Sequence, residues 1–333
     1  MNNNKKILVF GGTSFVGRAI VKQLLAEGYG NITLFNRGKT NADLYPMLPL
    51  IRGNREVAED IALLGKNDSW DAVIDVSGYF PLSLAQICEV LRGRVGRYIF
   101  ISTASVYDLS QPIDNGIDED FPLEVCGESE MIDTTMSTYG KRKVACEAVL
   151  RTHFPDSCII LRPAVIYGPY DPFDRHYYWL YRVAKSSKIA LPAETESRSR
   201  LNSTYVTDLA RVTTAAINAS AYRRIYNATT HPPLSLVEMV QSMAAAANTD
   251  PVFATISLDI LTQKNIQPWV DLPLWTNADL LAMTNDRLLA DFLPTPTPII
   301  ESWRESMAYY NQLGWPLPKA GISLEHEQTL WGK

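Results

Sequence analysis

The chain has 333 residues, 46% of them hydrophobic and 20% charged, which allows a substantial core and excludes a disordered polyelectrolyte. Its net charge of −5 is scattered along the sequence, without the basic stripe that a nucleic-acid backbone demands, so nucleic acid is an unfavoured partner. Cys88, Cys126, Cys146 and Cys158 are far apart and form no C-x-x-C pair, which argues against a zinc cage or redox dithiol and suits a reduced, cytoplasmic protein.

The polar start Met1–Lys6 and the short apolar run Ile7–Phe10 fit neither a signal peptide nor a membrane span. That run opens a series in which strand-length apolar segments alternate with amphipathic ones. In chain order the patterning predicts a strand at Lys6–Phe10, a helix at Val16–Glu27 and strands at Ile32–Asn36 and Leu48–Arg52. A helix at Val57–Leu64, a strand at Ala72–Val76, a helix at Leu82–Leu91 and a strand at Tyr98–Ser102 follow. A helix at Thr138–His153 and a strand at Cys158–Arg162 complete the series. This is the pattern of an α/β fold of Rossmann type, a doubly wound parallel sheet with helices on both faces.

After Pro163 the alternation weakens. Aromatic residues crowd Tyr167–Tyr181, Leu236–Ala246 is an isolated amphipathic piece, and prolines interrupt Pro268–Pro298. Residues 1–168 are therefore expected to form the dinucleotide-binding domain. Residues 169–333 are expected to form a smaller mixed region that completes the sheet and caps the substrate. Residues 193–200 mix charges of both signs and read as an exposed loop.

The first strand runs into Gly11-Gly-Thr-Ser-Phe-Val-Gly17 and then a helix. Gly11 allows the tight turn, Gly17 allows helix and strand to pack closely, and the free N–H groups of the helix start can receive a pyrophosphate. Gly11, Thr13, Ser14, Phe15, Val16 and Gly17 are the candidate contacts. The second strand ends in Asn36 and is followed by Arg37 and Lys39, where an NAD site would carry an acid for the ribose hydroxyls. An uncharged residue followed by two cations favours NADP(H) over NAD(H).

Tyr139 and Lys143 are four apart and share a helix face, as acid–base chemistry at a phenol would require, but Tyr181 and Lys185 repeat the spacing. Spacing alone does not choose between them. His153, His176, His231 and His326 show no metal-ligand spacing, so no metal is expected. The aromatic segment Tyr167–Tyr181 carries Arg175, which suggests a groove with stacking faces and an anion clamp, or else a helix packing its rings into a core. Arg175, Trp179 and Trp275 are the candidate substrate contacts.

Five segments occur in one order: Gly11–Gly17, Phe100-Ile-Ser-Thr-Ala-Ser-Val-Tyr107, Tyr139-Gly-Lys-Arg-Lys143, Leu161-Arg-Pro-Ala-Val-Ile-Tyr-Gly-Pro169 and Tyr205-Val-Thr-Asp-Leu-Ala210. Together they resemble the short-chain dehydrogenase/reductase superfamily, in its extended or atypical epimerase/dehydratase-like branch. The resemblance implies that Thr103 hydrogen-bonds the reacting oxygen, Tyr139 exchanges its proton, and Lys143 holds the nicotinamide ribose and lowers the Tyr139 pKa. It places Pro163 beside the nicotinamide, and Asn54 and Arg55 on the adenine side. It implies an NAD(P)-dependent oxidoreductase or epimerase acting on a carbonyl or alcohol of a small, for instance sugar-like, molecule, and a homodimer formed through the helices at 82–91 and 138–153.

Two positions depart from the branch. Ser14 replaces its central glycine, as in an atypical subgroup that includes epimerases, reductases and chloroplast stem-loop RNA-binding proteins. Val165 replaces an asparagine that contacts nucleotide sugars in many members. The alternative implied is a dinucleotide-binding regulatory or RNA-binding protein with little turnover.

Overall fold

The computed structural model describes residues 4–66, 69–113, 116–193, 200–220, 222–276, 282–293 and 295–331. Most of the expected loop at 193–200 lies outside the described residues. The chain forms two compact units, one of Met1–Ala164, Val206–Thr229 and Thr284–Thr295, the other of Val165–Tyr205, Thr230–Met283 and Pro296–Lys333.

The first unit is built on seven parallel strands: β1 (Ile7–Phe10), β2 (Ile32–Asn36), β3 (Leu50–Arg52), β4 (Ala72–Asp75), β5 (Tyr98–Ile101), β6 (Cys158–Arg162) and β7 (Ile225–Asn227). Their order across the sheet is β7-β6-β5-β4-β1-β2-β3. The helices are α1 (Phe15–Ala26), α2 (Ala58–Ala62), α3 (Pro81–Val90), α4 (Tyr139–His153) and α5 (Val206–Ile217). This is the expected doubly wound sheet. Every residue of β1, β4, β5 and β6 is buried, which is why those strands read as unbroken apolar runs.

Strand order reverses between β1 and β4, which pair in register from Ile7↔Ala72 to Phe10↔Asp75. The crevice at the carboxyl ends of these two strands is where such sheets bind ligands. Pro81 at the start of α3 fixes the turn out of that crevice, because its missing N–H is one that no helix start can satisfy internally.

The second unit has its own core, with Trp179, Trp303, Tyr167, Tyr177, Leu180 and Met243 at its centre. Two parallel pairs, Val165–Tyr167 with Ser203–Tyr205 and Lys188–Pro192 with Val252–Ile256, accompany helices Arg175–Lys185, Leu236–Ala247 and Ile299–Gln312. Ser235 and Glu238 cap the second of these helices reciprocally. Buried Arg182 and Glu327 form an ion pair, and Glu327 also accepts from the Ala190 N–H at 2.7 Å.

Candidate active site

The turn from β1 to α1 is a cradle shaped by glycines. A Cβ on Gly11, whose φ is +100°, would stand 2.8 Å from Val76, and one on Gly17 would stand 2.6 Å from the backbone nitrogen of Gly12. The helix therefore sits on the turn at a distance that only glycine permits. Ser14 caps α1 with its backbone in the extended region, without a side-chain cap bond, and the first turn carries no acidic residue. The positive end of α1 is thus open to an anion, and the cradle fits a dinucleotide pyrophosphate. Buried Thr13 and Phe15 and half-buried Val16 fix the turn, and the Thr13 carbonyl accepts from Asn41 Nδ2 at 2.8 Å.

Beyond β2, both ends of the Asn36 amide are used: Nδ2 donates to the Gly11 carbonyl at 3.1 Å, and Oδ1 accepts from the Gly38 N–H at 2.8 Å. Asn36 thus ties the β2 loop to the glycine turn. Arg37 and Lys39 are exposed, and a Cβ on Gly38 would lie 3.0 Å from the guanidinium of Arg52, a third cation in the same loop cluster.

Arg55 is held differently from the expectation. Its two terminal nitrogens grip Asp75 at 2.7 and 2.9 Å, and one of them also reaches Ser77 Oγ at 3.0 Å. Its guanidinium lies 5.3 Å from the centre of the Phe10 ring. The terminal nitrogens are already engaged, so Arg55 is first an internal counter-ion. Asn54 sits beside it, with its N–H bonded to Asp60 at 2.7 Å.

Thr103, Tyr139 and Lys143 come together at the carboxyl end of β5. Half-buried Thr103 lies just past the strand, where the Ser105 N–H donates to its hydroxyl at 3.2 Å, and the Ala104 N–H donates to the Pro163 carbonyl at 2.8 Å. Pro163 therefore pins the segment after β5 to the end of β6. Lys143 is buried and donates to the carbonyls of Gly78 at 2.9 Å and Ile101 at 2.7 Å, with its ammonium 3.8 Å from the centre of the Phe100 ring. Two of its three donors are used.

Burial pushes the Tyr139 phenol up to about 12, the neighbouring Tyr79 phenol adds to the rise, and the hydrogen bond with Thr103 opposes it. Lys143 is not among the groups that shift Tyr139 in the chain alone, where burial sets the direction. Burial draws Lys143 itself down to about 8, against the pull of Cys146, Asp75 and Glu147. The resting pair is a neutral phenol beside a readily discharged amine.

Sequence reasoning missed several residues of this site. Asp75 closes β4, and Ser77, Gly78 and Tyr79 follow it, with the Tyr79 ring 6.3 Å from that of Tyr139. A carboxylate closing the apolar strand Ala-Val-Ile-Asp75 was the available signal.

In the second unit, Arg175 is half-buried with its guanidinium 5.1 Å from the Phe173 ring centre and 5.6 Å from that of Trp269. Trp275 is buried and lines a small cavity of about 20 Å³ with Pro192, Leu201, Leu234 and Met239. Trp179 belongs to the core of the second unit. It is fully buried, and its indole N–H donates to the Pro273 carbonyl at 2.6 Å, because the helix that carries it is enclosed on nearly every side. Among the described residues, no group of His, Cys, Asp or Glu side chains is arranged to hold a metal ion. Among them, too, no helix is long and apolar enough to cross a membrane.

Comparison with known proteins places this geometry. The chain is similar over 242 residues, at 28% identity, to chloroplast stem-loop binding protein of 41 kDa b from Arabidopsis thaliana, covering 68% of this chain and 59% of that relative's length. Its fold resembles UDP-glucose 4-epimerase of Thermotoga maritima, with a TM-score of 0.69 at 16% identity over 92% of this chain and 99% of the other. It also resembles the Bordetella bronchiseptica enzyme WbmH, solved with NAD+, with a TM-score of 0.67 at 19% identity over 93% and 99% of the two chains. The family model for the NAD dependent epimerase/dehydratase family matches residues 7–229, two-thirds of the sequence, and the chain belongs to that family.

Proposed function

We propose that this chain is an enzyme that binds a nicotinamide dinucleotide against the β1–α1 turn and acts at a carbonyl or alcohol carbon of a small molecule, as an epimerase or oxidoreductase. The observation that carries the reading is the meeting of Thr103, Tyr139 and buried Lys143 at the carboxyl edge of the sheet that also holds the glycine cradle. When bound, the nicotinamide supplies or accepts a hydride. Thr103 orients the reacting oxygen, Tyr139 gives or takes its proton, and the free donor of Lys143 is available to a ribose hydroxyl. A phenol resting near 12 must be drawn down for this role, and the positive charge of an oxidised nicotinamide acts in that direction.

The cofactor is assigned as NADP(H). Asn36 brings no negative charge, and Arg37, Lys39 and Arg52 surround the loop where a 2′-phosphate would lie. Substrate recognition is assigned to the second unit, through Arg175 and Trp275. The protein is assigned to the cytoplasm as a homodimer, through α3 and α4.

Titration with NADPH and NADH, followed by nicotinamide fluorescence, tests the reading. Tighter binding of NADPH, lost in Arg37→Ala, followed by turnover on a carbonyl panel that Tyr139→Phe abolishes, is the expected result. Failure to bind either nucleotide overturns it.

A second reading, an RNA-binding protein on the same fold, is favoured by the name of the Arabidopsis relative. The net charge of −5 weighs against it. A salt-sensitive gel shift with stem-loop RNA, without turnover, is the result that would establish it.

A further inference from the structure

The surroundings of Lys143 contain a charge pair that the proposed proton transfer does not use directly. Asp75 closes β4 and is paired in register with Phe100 of β5, so both side chains leave the same face of the sheet. Gly78 is wedged between them: a Cβ there would lie 2.6 Å from the Phe100 ring and 3.1 Å from Asp75 Oδ2. From this notch the Gly78 carbonyl accepts from Lys143, whose ammonium rests on Phe100. Lys143 and Asp75 thus occupy two sides of one glycine.

Asp75 is completely buried and fully tied, by the two nitrogens of Arg55, by the Ser77 N–H at 2.9 Å and by the Tyr98 hydroxyl at 3.0 Å. Burial opposes its charge, but the Arg55 guanidinium, the Ser77 N–H and Lys143 hold the carboxyl below its usual range. We propose that Asp75, kept ionised by Arg55, is the counter-charge of Lys143 and so a positioning residue for proton transfer at Tyr139. The last step rests on the function proposed above; the coupling between Asp75 and Lys143 does not.

The other groups that bear on Lys143 divide by sign. Glu147 and Cys146 on α4 act with Asp75 in favour of the ammonium, although Glu147 is itself committed to Arg162 and Ser102. Arg55 acts against it. Burial disfavours the ammonium most of all. Asp75 differs from Glu147 in that it meets Lys143 through Gly78, whose carbonyl accepts from the ammonium and whose Cβ position lies 3.1 Å from Asp75 Oδ2.

The experiment is NMR titration of the side chains in full-length protein labelled with 13C,15N-lysine, without cofactor or substrate. Wild-type Lys143 is expected to titrate near pH 8. Asp75→Asn, nearly the same shape, should lower that midpoint by about one pH unit, a tenfold loss of proton affinity. Tyr98→Phe, which takes a hydrogen bond from the same carboxylate without removing its charge, should leave it close to wild type. If Asp75→Asn does not fold, Lys143→Met, compared with wild type in protein labelled with 13C-aspartate, provides the reciprocal measurement: the Asp75 carboxyl, followed by its 13Cγ shift, should bind its proton at higher pH than in wild type. An unmoved midpoint in Asp75→Asn, an equal shift in Tyr98→Phe, or an unmoved Asp75 in Lys143→Met overturns the proposal. Each of these results is independent of whether the protein turns over any substrate.

Discussion

Gly140 and Ser105 are in direct backbone contact: a Cβ on Gly140 would stand only 1.9 Å from the Ser105 carbonyl oxygen. The first turn of α4 therefore lies on the segment after β5, and that approach carries the Tyr139 phenol to the Thr103 hydroxyl. Two effects compete in Gly140→Ala. Alanine improves helix propensity by about 1 kcal/mol, whereas forcing a methyl group into a packed backbone costs about 1–3 kcal/mol. The clash should win, lowering the melting temperature. A displacement of roughly 1 Å at the reacting groups should reduce kcat/KM about 100-fold. Thermal denaturation and steady-state kinetics check the two parts separately.

Lys143 should be a stability cost that function retains. Its folded value near 8 lies below the ordinary 10.5, so burial of the charged form destabilises the native state below pH 8. Between these values the unfolded chain binds more protons than the folded one. Stability from this group therefore rises with pH through the window and is level above it. The shift corresponds to about 3 kcal/mol, and the two carbonyls left without Lys143 return roughly 1 kcal/mol each. Lys143→Met should then be more stable than wild type by about 1 kcal/mol at pH 7, with the gain shrinking as pH approaches 10.5, and should be inactive. Urea denaturation at pH 7 and pH 10 measures this; a variant less stable at pH 7 contradicts it.

The fold was legible where burial left a one-dimensional trace. Strands β1 to β6 fall within two residues of expectation; β1, β4, β5 and β6 are covered on both faces, which turns each of them into an apolar run. Pro49 and a thin apolar stretch shorten the expected Leu48–Arg52 strand to Leu50–Arg52. Strand β7 is only Ile225–Asn227, too short to carry a period, and it went unseen, as did α5, whose buried threonines mask its apolar face. Motif order nominated Thr103, Tyr139 and Lys143, which the fold brings to one end of the sheet, but it could not show that Arg55 pairs with Asp75. That bond joins loops after different strands and leaves no local pattern. The place of Trp179 is illegible for a related reason: a helix buried on nearly all sides and one lining a groove look alike in sequence.

The glycine cradle gives a paired test with an internal control. Gly17 meets the backbone of Gly12, which cannot rotate away, whereas a Cβ on Gly30 has nothing within 4 Å. Gly17→Ala should push α1 off the turn, destabilise the protein by about 1–3 kcal/mol and weaken nicotinamide dinucleotide binding. Gly30→Ala should change stability by no more than roughly 0.5 kcal/mol and leave binding unchanged. Equal behaviour of the two variants in chemical denaturation and nucleotide titration would show that close approach at Gly17 is not what shapes the cradle.

Beside the segment that carries Thr103, Glu147 binds buried Arg162 through both oxygens, at 3.0 and 2.6 Å, and also accepts from Ser102 Oγ at 2.6 Å. The opposite edge of the guanidinium reaches the Tyr107 hydroxyl and the Glu119 carbonyl, each at 3.1 Å. Ser102 immediately precedes Thr103, so this network supports the strand end on which the Thr103 hydroxyl stands. Glu147→Gln leaves the Arg162 charge in the interior without its counter-ion, a loss of about 3–5 kcal/mol. Replacing both partners with apolar residues, Glu147→Leu with Arg162→Met, removes the stranded charge and should recover a large part of that loss. It cannot recover the bond to Ser102. The double variant should therefore be markedly more stable than Glu147→Gln yet remain impaired in kcat, with nucleotide affinity near wild type. Full recovery of kcat together with stability would mean that the pair serves the fold alone and has no part in holding Thr103.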